Sequence, residues 1–243
     1  MVLNSDPTVL IEVLQHGEIH VTGQFMWGSN YTFLCDVTYK EQVIQAIYKP
    51  VRGERPLWDF PNETLSGREV AAYLLSEGGN WHLVPPTVFR QQAPVGPGSL
   101  QSYVEHDPEY HYFQFSEEDK ARVRPVVLFD VVANNTDRKA GHILIDPNGK
   151  LWLIDHGVCF HVEPKLRTVL WEFAGQPLTA DEKSQLEALK AKLLPEKELY
   201  QQLCNYLSRR EIQAICDRID ATLQAGIFPL PRQDRYSMPW PPV

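Results

Sequence analysis

The chain has 243 residues, 43% of them hydrophobic and 22% charged, an ordinary composition and length for one or two globular domains. Its formal charge of −8 argues against a general nucleic-acid binder. No apolar run approaches the roughly 18–20 residues of a membrane span, and the opening "MVLNSDPTVL" lacks the charged-then-apolar order of a secretion signal. Cys35, Cys159, Cys204 and Cys216 are scattered without a CxxC pair and read as reduced thiols of a cytoplasmic protein.

Taken in chain order, the first fifty residues read as β-rich. "GEIHVTGQF" and "YTFLCDVTY" are strands joined through "MWGSN", and "VIQAIYKP" follows the turn "KEQ". "LSGREVAAYLLSE" reads as a helix with Val70, Tyr73, Leu74 and Leu75 on its apolar face and Ser66 and Glu69 at capping-box spacing. "LVPPTVF" and "SLQSYVE" are two more strands around a Pro/Gly loop. From Ser116 the pattern turns helical: Ser116 and Asp119 again stand at capping-box spacing, and Pro125 is expected to interrupt the helix that runs on through Val132. Helical stretches follow over 179–194 and 197–225. The proline-rich tail, 229–243, reads as an extended arm packed by Tyr236 and Trp240. The expected organisation is α+β, with a β-rich part over 1–105 and a mainly helical part over 106–243.

The stretch "NNTDRKAGHILIDPNGKLWLIDHGVCF", residues 134–160, concentrates the chemistry. "HILI" and "LWLI" are short apolar strands flanking "DPNGK", and Asn148-Gly149 signals a two-residue hairpin turn because both positions of a type I′ turn need positive φ. Such a turn would set His142 opposite Asp155 on one face, Cα atoms about 4.5–5.5 Å apart. Asp137 would reach the same place from the loop before. Singly, each residue has an ordinary role as turn cap, strand end or surface imidazole. Converging at the open end of one hairpin, they suggest a metal or acid/base site.

"NNTDRKAGH" followed by "LIDHG" resembles the catalytic and metal-binding loops of the phosphatidylinositol 3-/4-kinase-like branch of the protein-kinase-like fold. Type II phosphatidylinositol 4-kinases carry a similar NTDR stretch, hairpin and Asp-x-Gly; HipA-type and Fam20-type kinases are more distant by pattern. The resemblance spans roughly residues 15–175. It implies an atypical protein-kinase-like two-lobed fold, with a β-rich N-lobe and a mainly helical C-lobe. The implied activity is ATP-dependent phosphotransfer, assisted by Mg2+ or Mn2+, to the hydroxyl of a protein, a small molecule or a lipid. The resemblance further implies that Asp137 orients the acceptor hydroxyl, that Asp155 holds the metal, and that Lys49, held by Glu69, meets the phosphates. It places "GSNYTF", with Gly28, Ser29 and Asn30, over the phosphates, and the connection at Val104 and Glu105 beside the adenine.

Glu69 could instead complete the capping box with Ser66, and Arg138 and Lys139 could either neutralise phosphate charge or be solvated. The family's second metal ligand is an asparagine five residues past the catalytic aspartate. Here that position is His142, and imidazole suits manganese or softer ions better than magnesium. His156 replaces the phenylalanine of the usual Asp-Phe-Gly. These departures keep two other readings open: a pseudokinase acting as a nucleotide-binding regulatory module, and a metal-dependent hydrolase built on Asp137, His142, Asp155 and His156.

Overall fold

The computed structural model describes residues 6–25, 31–233 and 236–243. The chain opens with helix α1 (Pro7–His16). Asp6 caps it, accepting a hydrogen bond from the Thr8 N–H at 2.8 Å, and Pro7 opens its first turn. Both are ordinary helix-start signals, and the β-rich part therefore opens with a helix ahead of its strands. Five antiparallel strands follow: β1 (Glu18–Phe25), β2 (Thr32–Tyr39), β3 (Gln42–Pro50), β4 (Thr87–Arg90) and β5 (Gly98–Ser102). Their spatial order is β1-β2-β3-β5-β4.

Alternation along β3 assigns its two faces. Ala46 and Tyr48 are fully buried in a small core with Cys35, Val37 and Leu100, closed by Val13 and Leu14 of α1. Lys49 therefore projects from the opposite face. Helix α2 (Leu65–Gly78), which packs on β4 and β5, meets it there. The start of α2 decides what Glu69 is free to do. The helix begins at Leu65, and its first N–H groups are capped from a distance: Glu54 accepts from Leu65 N at 3.1 Å, Ser66 N at 2.7 Å and Ser66 Oγ at 2.5 Å. A carboxylate at a helix N-terminus satisfies orphan donors and meets the positive end of the dipole. The Ser66–Glu69 capping box expected from spacing is thus replaced by Glu54, which leaves the Glu69 carboxylate available.

After β5 the chain crosses by way of Tyr103–His111 into the helical part, where a large core forms around α4 (Arg124–Ala133). Ser116 caps the short α3 (Glu117–Ala121), and Pro125 lies in the first turn of α4, where no N–H is needed. The interruption therefore falls before the proline. Helix α5 (Ala180–Lys192) starts from a Thr179–Glu182 capping box. The stretch 197–225 is not one helix but two, α6 (Glu198–Leu203) and α7 (Arg209–Ala225), because Ser208 and Glu211 form a fresh capping box. The tail also departs from expectation. Tyr236 and Trp240 are 90% and 89% exposed, while Pro239 is buried and the arm is held through its backbone. Among the described residues no helix is long and apolar enough to cross a membrane.

Candidate active site

The hairpin consists of β6 (Ile143–Ile145) and β7 (Leu151–Leu153), paired Ile143 to Leu153 and Ile145 to Leu151. Its loop is Pro147-Asn148-Gly149, one residue longer than the expected Asn148-Gly149 turn. Pro147 presets an ordinary turn, closed by Gly149 N–H donating to Asp146 O at 2.8 Å, and only Gly149 takes positive φ. Asp146 Oδ1 reinforces the loop by accepting from Asn148 N and Lys150 N at 2.8 and 2.9 Å. The register shifts by one, so His142 lies opposite Ile154, whose N–H donates to His142 O at 3.1 Å.

His142 and Asp155 meet even so, with Nε2 and Oδ2 3.3 Å apart. His142 ends a 3-10 turn over Ala140–His142, and Asp155 adopts φ 61°, a left-handed backbone that few non-glycine residues take. The carboxylate is thereby turned toward both the imidazole and β3. Lys49 Nζ stands 3.0 Å from Asp155 Oδ1 and 2.5 Å from Glu69 Oε1. Glu69 Oε2 also accepts the His156 N–H at 2.9 Å, so one buried carboxylate ties the strand lysine to the Asp155–Gly157 turn. The Lys49 ammonium holds the Asp155 carboxyl well below the usual range against the cost of burial. Burial works against the charge on Lys49, but Asp155 and Glu69 more than offset it and raise its pKa.

Asp137 follows the C-terminus of α4, where its neighbours in "NNTDR" each have a structural task. Asn134 takes a left-handed backbone, donates to the carbonyls of His161 and Glu163, and accepts from Lys165 N. Asn135 Oδ1 accepts the Asp137 N–H at 2.9 Å, and Thr136 Oγ1 bonds Val158 O at 2.8 Å. Burial pushes the Asp137 carboxyl up to about 6, against the pull of Lys139, whose Nζ lies 3.8 Å away. Arg138 fits neither sequence expectation, being neither solvated nor free for phosphate. It is fully buried and bonds Asp130 through Nε at 2.9 and 3.2 Å and Nη2 at 3.0 Å. Nη1 donates to the carbonyls of His142 and Ile154, and Nη2 to His156 Nε2 at 2.9 Å. Sequence reasoning missed Asp130, Asn134 and Asn135; the one local signal was an asparagine at a helix end.

Burial, with Asp155 opposing it, brings the His142 pKa down to about 4, so the ring is neutral at ordinary pH. Its Nδ1 faces the Lys139 N–H at 3.5 Å, which leaves the ring proton on Nε2, toward Asp155. Holding a cation at Nε2 requires the other tautomer. Asp155 and His142 together would offer a cation only two ligands, and no cluster of three His, Cys, Asp or Glu side chains suited to a metal occurs among the described residues. A divalent ion fits here if a second molecule adds oxygen donors, which is what a polyphosphate offers. Val104 is half-buried and Glu105 exposed in the connection after β5, and Gly28, Ser29 and Asn30 lie outside the described residues. A surface hollow of about 550 Å³ lined by Tyr112, Phe113, Glu117 and Phe173 holds none of these groups.

Comparison with known proteins identifies the family and the fold. The phosphatidylinositol 3- and 4-kinase family model matches residues 63–226. A Mycobacterium tuberculosis (strain ATCC 25618 / H37Rv) protein, Protein Rv2133c, is 38% identical over 264 positions, 94% of each chain. Among solved structures, hydra Fam20 with sugar superposes with a TM-score of 0.61 at 13% identity, covering 92% of this chain and 89% of that one. The Golgi casein kinase with Mn/ADP bound gives 0.55 at 13% identity, covering 91% and 76%. The Helicobacter pylori proinflammatory kinase CtkA gives 0.50 at 13% identity, covering 88% and 94%. These likenesses establish a protein-kinase-like fold, its β-rich part followed by its helical part.

Proposed function

Because the chain belongs to the phosphatidylinositol 3- and 4-kinase family, we propose that it is an ATP-dependent phosphotransferase acting on the hydroxyl of a small molecule, a protein or a lipid. One observation carries the reading: a strand lysine that bonds a helix glutamate and the Asp155 carboxylate at once. A metal-dependent hydrolase would give Lys49 no task. In the proposed reading Lys49 pairs with phosphate oxygens, and Glu69 keeps its ammonium aimed at them. Gly28, Ser29 and Asn30 would lie over the phosphates, with Val104 and Glu105 beside the base.

Asp155 and His142 would hold a divalent cation, which when bound supplies charge neutralisation for the phosphates; with one imidazole ligand, Mn2+ suits the pair better than Mg2+. Asp137 would accept the hydrogen bond of the acceptor hydroxyl and orient it. A carboxyl titrating near 6 is ionised at neutral pH and only weakly basic, which fits an orienting role. Phosphoryl transfer asks for positioning and electrostatics more than covalent chemistry, and the buried Arg138 supplies the positioning by bracing the carbonyls of His142 and Ile154.

The test combines thermal unfolding with transfer of label from γ-labelled ATP in manganese or magnesium. Saturating nucleotide at about 100 times its Kd should stabilise the chain by about 2.7 kcal/mol, and Lys49→Met should lose both stabilisation and ATP consumption. Stabilisation without consumption would make the chain a nucleotide-binding module. Undiminished activity in Lys49→Met would favour the hydrolase.

A further inference from the structure

The family match ends at residue 226, yet the chain continues and returns to the loop that carries Asp137 and His142. Ser237 O accepts two hydrogen bonds, from Thr168 N and from Trp171 Nε1, each at 3.0 Å. Pro242 O accepts from Ala140 N at 2.8 Å, and Val243 lies over Gly141, near enough that a Cβ there would touch it at 4.0 Å. Ala140 opens the 3-10 turn that ends at His142, so its N–H has no partner within the turn. Thr168 pairs with Arg138 in a β-bridge, immediately beside Asp137. Ala140 and Thr168 are buried, so water does not readily replace the carbonyls that satisfy them.

Resting on the phosphotransfer reading above, we propose that residues 236–243 are a positioning strap of the active site. Their backbone carbonyls fix the loop 137–142 and the segment 168–171 that faces it. The strap is suited to this task. Pro239, Pro241 and Pro242 restrict its unbound conformations, which lowers the entropy cost of docking. Its anchors are main-chain atoms and the buried Pro239, while the rings of Tyr236 and Trp240 stand in solvent and add nothing to the attachment. Lys49, Glu69 and Asp155 receive no bond from residues 236–243, so the groups that meet the nucleotide most directly should keep their places without the strap, whereas Asp137 and the turn that ends at His142 should not.

A chain ending at residue 235 is compared with the full chain for ATP consumption in manganese and for amide hydrogen exchange. The strap predicts a kcat lowered about ten- to a hundredfold with the ATP KM within about twofold, since a displaced catalytic group costs turnover rather than binding. It also predicts faster exchange at Ala140 and Thr168, and partial recovery of kcat when a synthetic peptide of residues 236–243 is added. Trp240→Ala should leave every reading unchanged, and Trp171→Phe, which removes one of the two bonds to Ser237 O, should fall between. Unchanged kcat in the shortened chain overturns the proposal, and so does raised kcat, which would make the arm an inhibitory plug. A parallel loss of kcat, ATP affinity and thermal stability without peptide rescue overturns it too, leaving a merely structural tail. If the full chain consumes no ATP, the phosphotransfer reading fails by itself. Exchange at Ala140 and Thr168, with and without the strap, then decides whether the strap fixes the loop.

Discussion

Arg138→Met tests the support of the site most directly. The guanidinium is fully buried, as is Asp130 at 1% exposure, and three N···O contacts of 2.9–3.2 Å join them. Methionine fills similar volume without charge, leaving Asp130 buried and uncompensated. Removing one partner of a buried ion pair costs about 3–5 kcal/mol, a large share of the roughly 5–15 kcal/mol that holds a domain folded. With a urea slope of about 3 kcal/mol per M, the unfolding midpoint should fall by about 1–1.7 M. Adding Asp130→Leu removes the stranded charge and should recover roughly half of the loss, because the pair itself contributes little net stability. Recovery stays incomplete because His142 O, Ile154 O and His156 Nε2 still lack their donor, at about 1 kcal/mol or more each. Urea unfolding of the parent, single and double variants with matched slopes supplies the comparison. A single variant within about 1 kcal/mol of the parent, or a double variant no more stable than the single, would refute the ion-pair reasoning.

Three further outcomes are expected. His142→Asn restores the residue of the family pattern and should move metal preference toward Mg2+ by about tenfold, read as the ratio of ATP consumption in Mg2+ to that in Mn2+; an unchanged ratio removes His142 from the cation site. Burial raises the Asp137 carboxyl from 3.8 to about 6, so the folded state holds that proton more tightly than the unfolded chain does. Its stabilising contribution is complete below pH 3.8 and lost as pH rises through 6, so Asp137→Asn should melt higher than the parent at pH 7–8 and level with it near pH 4, while losing turnover. Glu54→Ala should lower stability by about 1–2 kcal/mol by uncapping α2, and raise the ATP KM through the loosened Glu69; a KM identical to the parent's would separate the cap from the Lys49 pairing.

What the sequence made legible were the residues whose chemistry is local. Lys49 at a strand end, Glu69 one turn into a helix, and Asp137 and Asp155 around a hairpin could be placed by motif and spacing, and the structure brings Lys49, Glu69 and Asp155 into direct contact. Asn-Gly alone points to a two-residue turn, whereas Pro147 and the Asp146 side chain select a longer loop and shift the register. That His142 still reaches Asp155 depends on a left-handed aspartate, which no pattern announces. A charge beside an aspartate of this motif suggests phosphate, whereas the partner of Arg138 is Asp130, which lies on the last turns of α4, across a helix end. The strap was hidden for a simpler reason. Its contacts are made by carbonyl oxygens, which every residue carries.

The two histidines that depart from the family pattern are held by the same guanidinium. Arg138 Nη1 donates to the carbonyl of His142, and Nη2 donates to the ring of His156. A phenylalanine at 156 would leave that Nη2 donor facing a hydrocarbon in a fully buried place, a cost on the order of 1–3 kcal/mol. Histidine at 156 thus gives the buried Nη2 an acceptor, because its ring, buried and lowered in pKa, is neutral and receives the bond through Nε2. Its Nδ1 lies 3.8 Å from Glu69 Oε2 without a hydrogen-bond partner, so a movement of under about 1 Å would extend the chain of bonds from Asp130 through Arg138 and His156 to the glutamate that holds Lys49. His156 thus joins the support of the site through its ring, whereas position 142 takes part through a backbone carbonyl that any residue would supply.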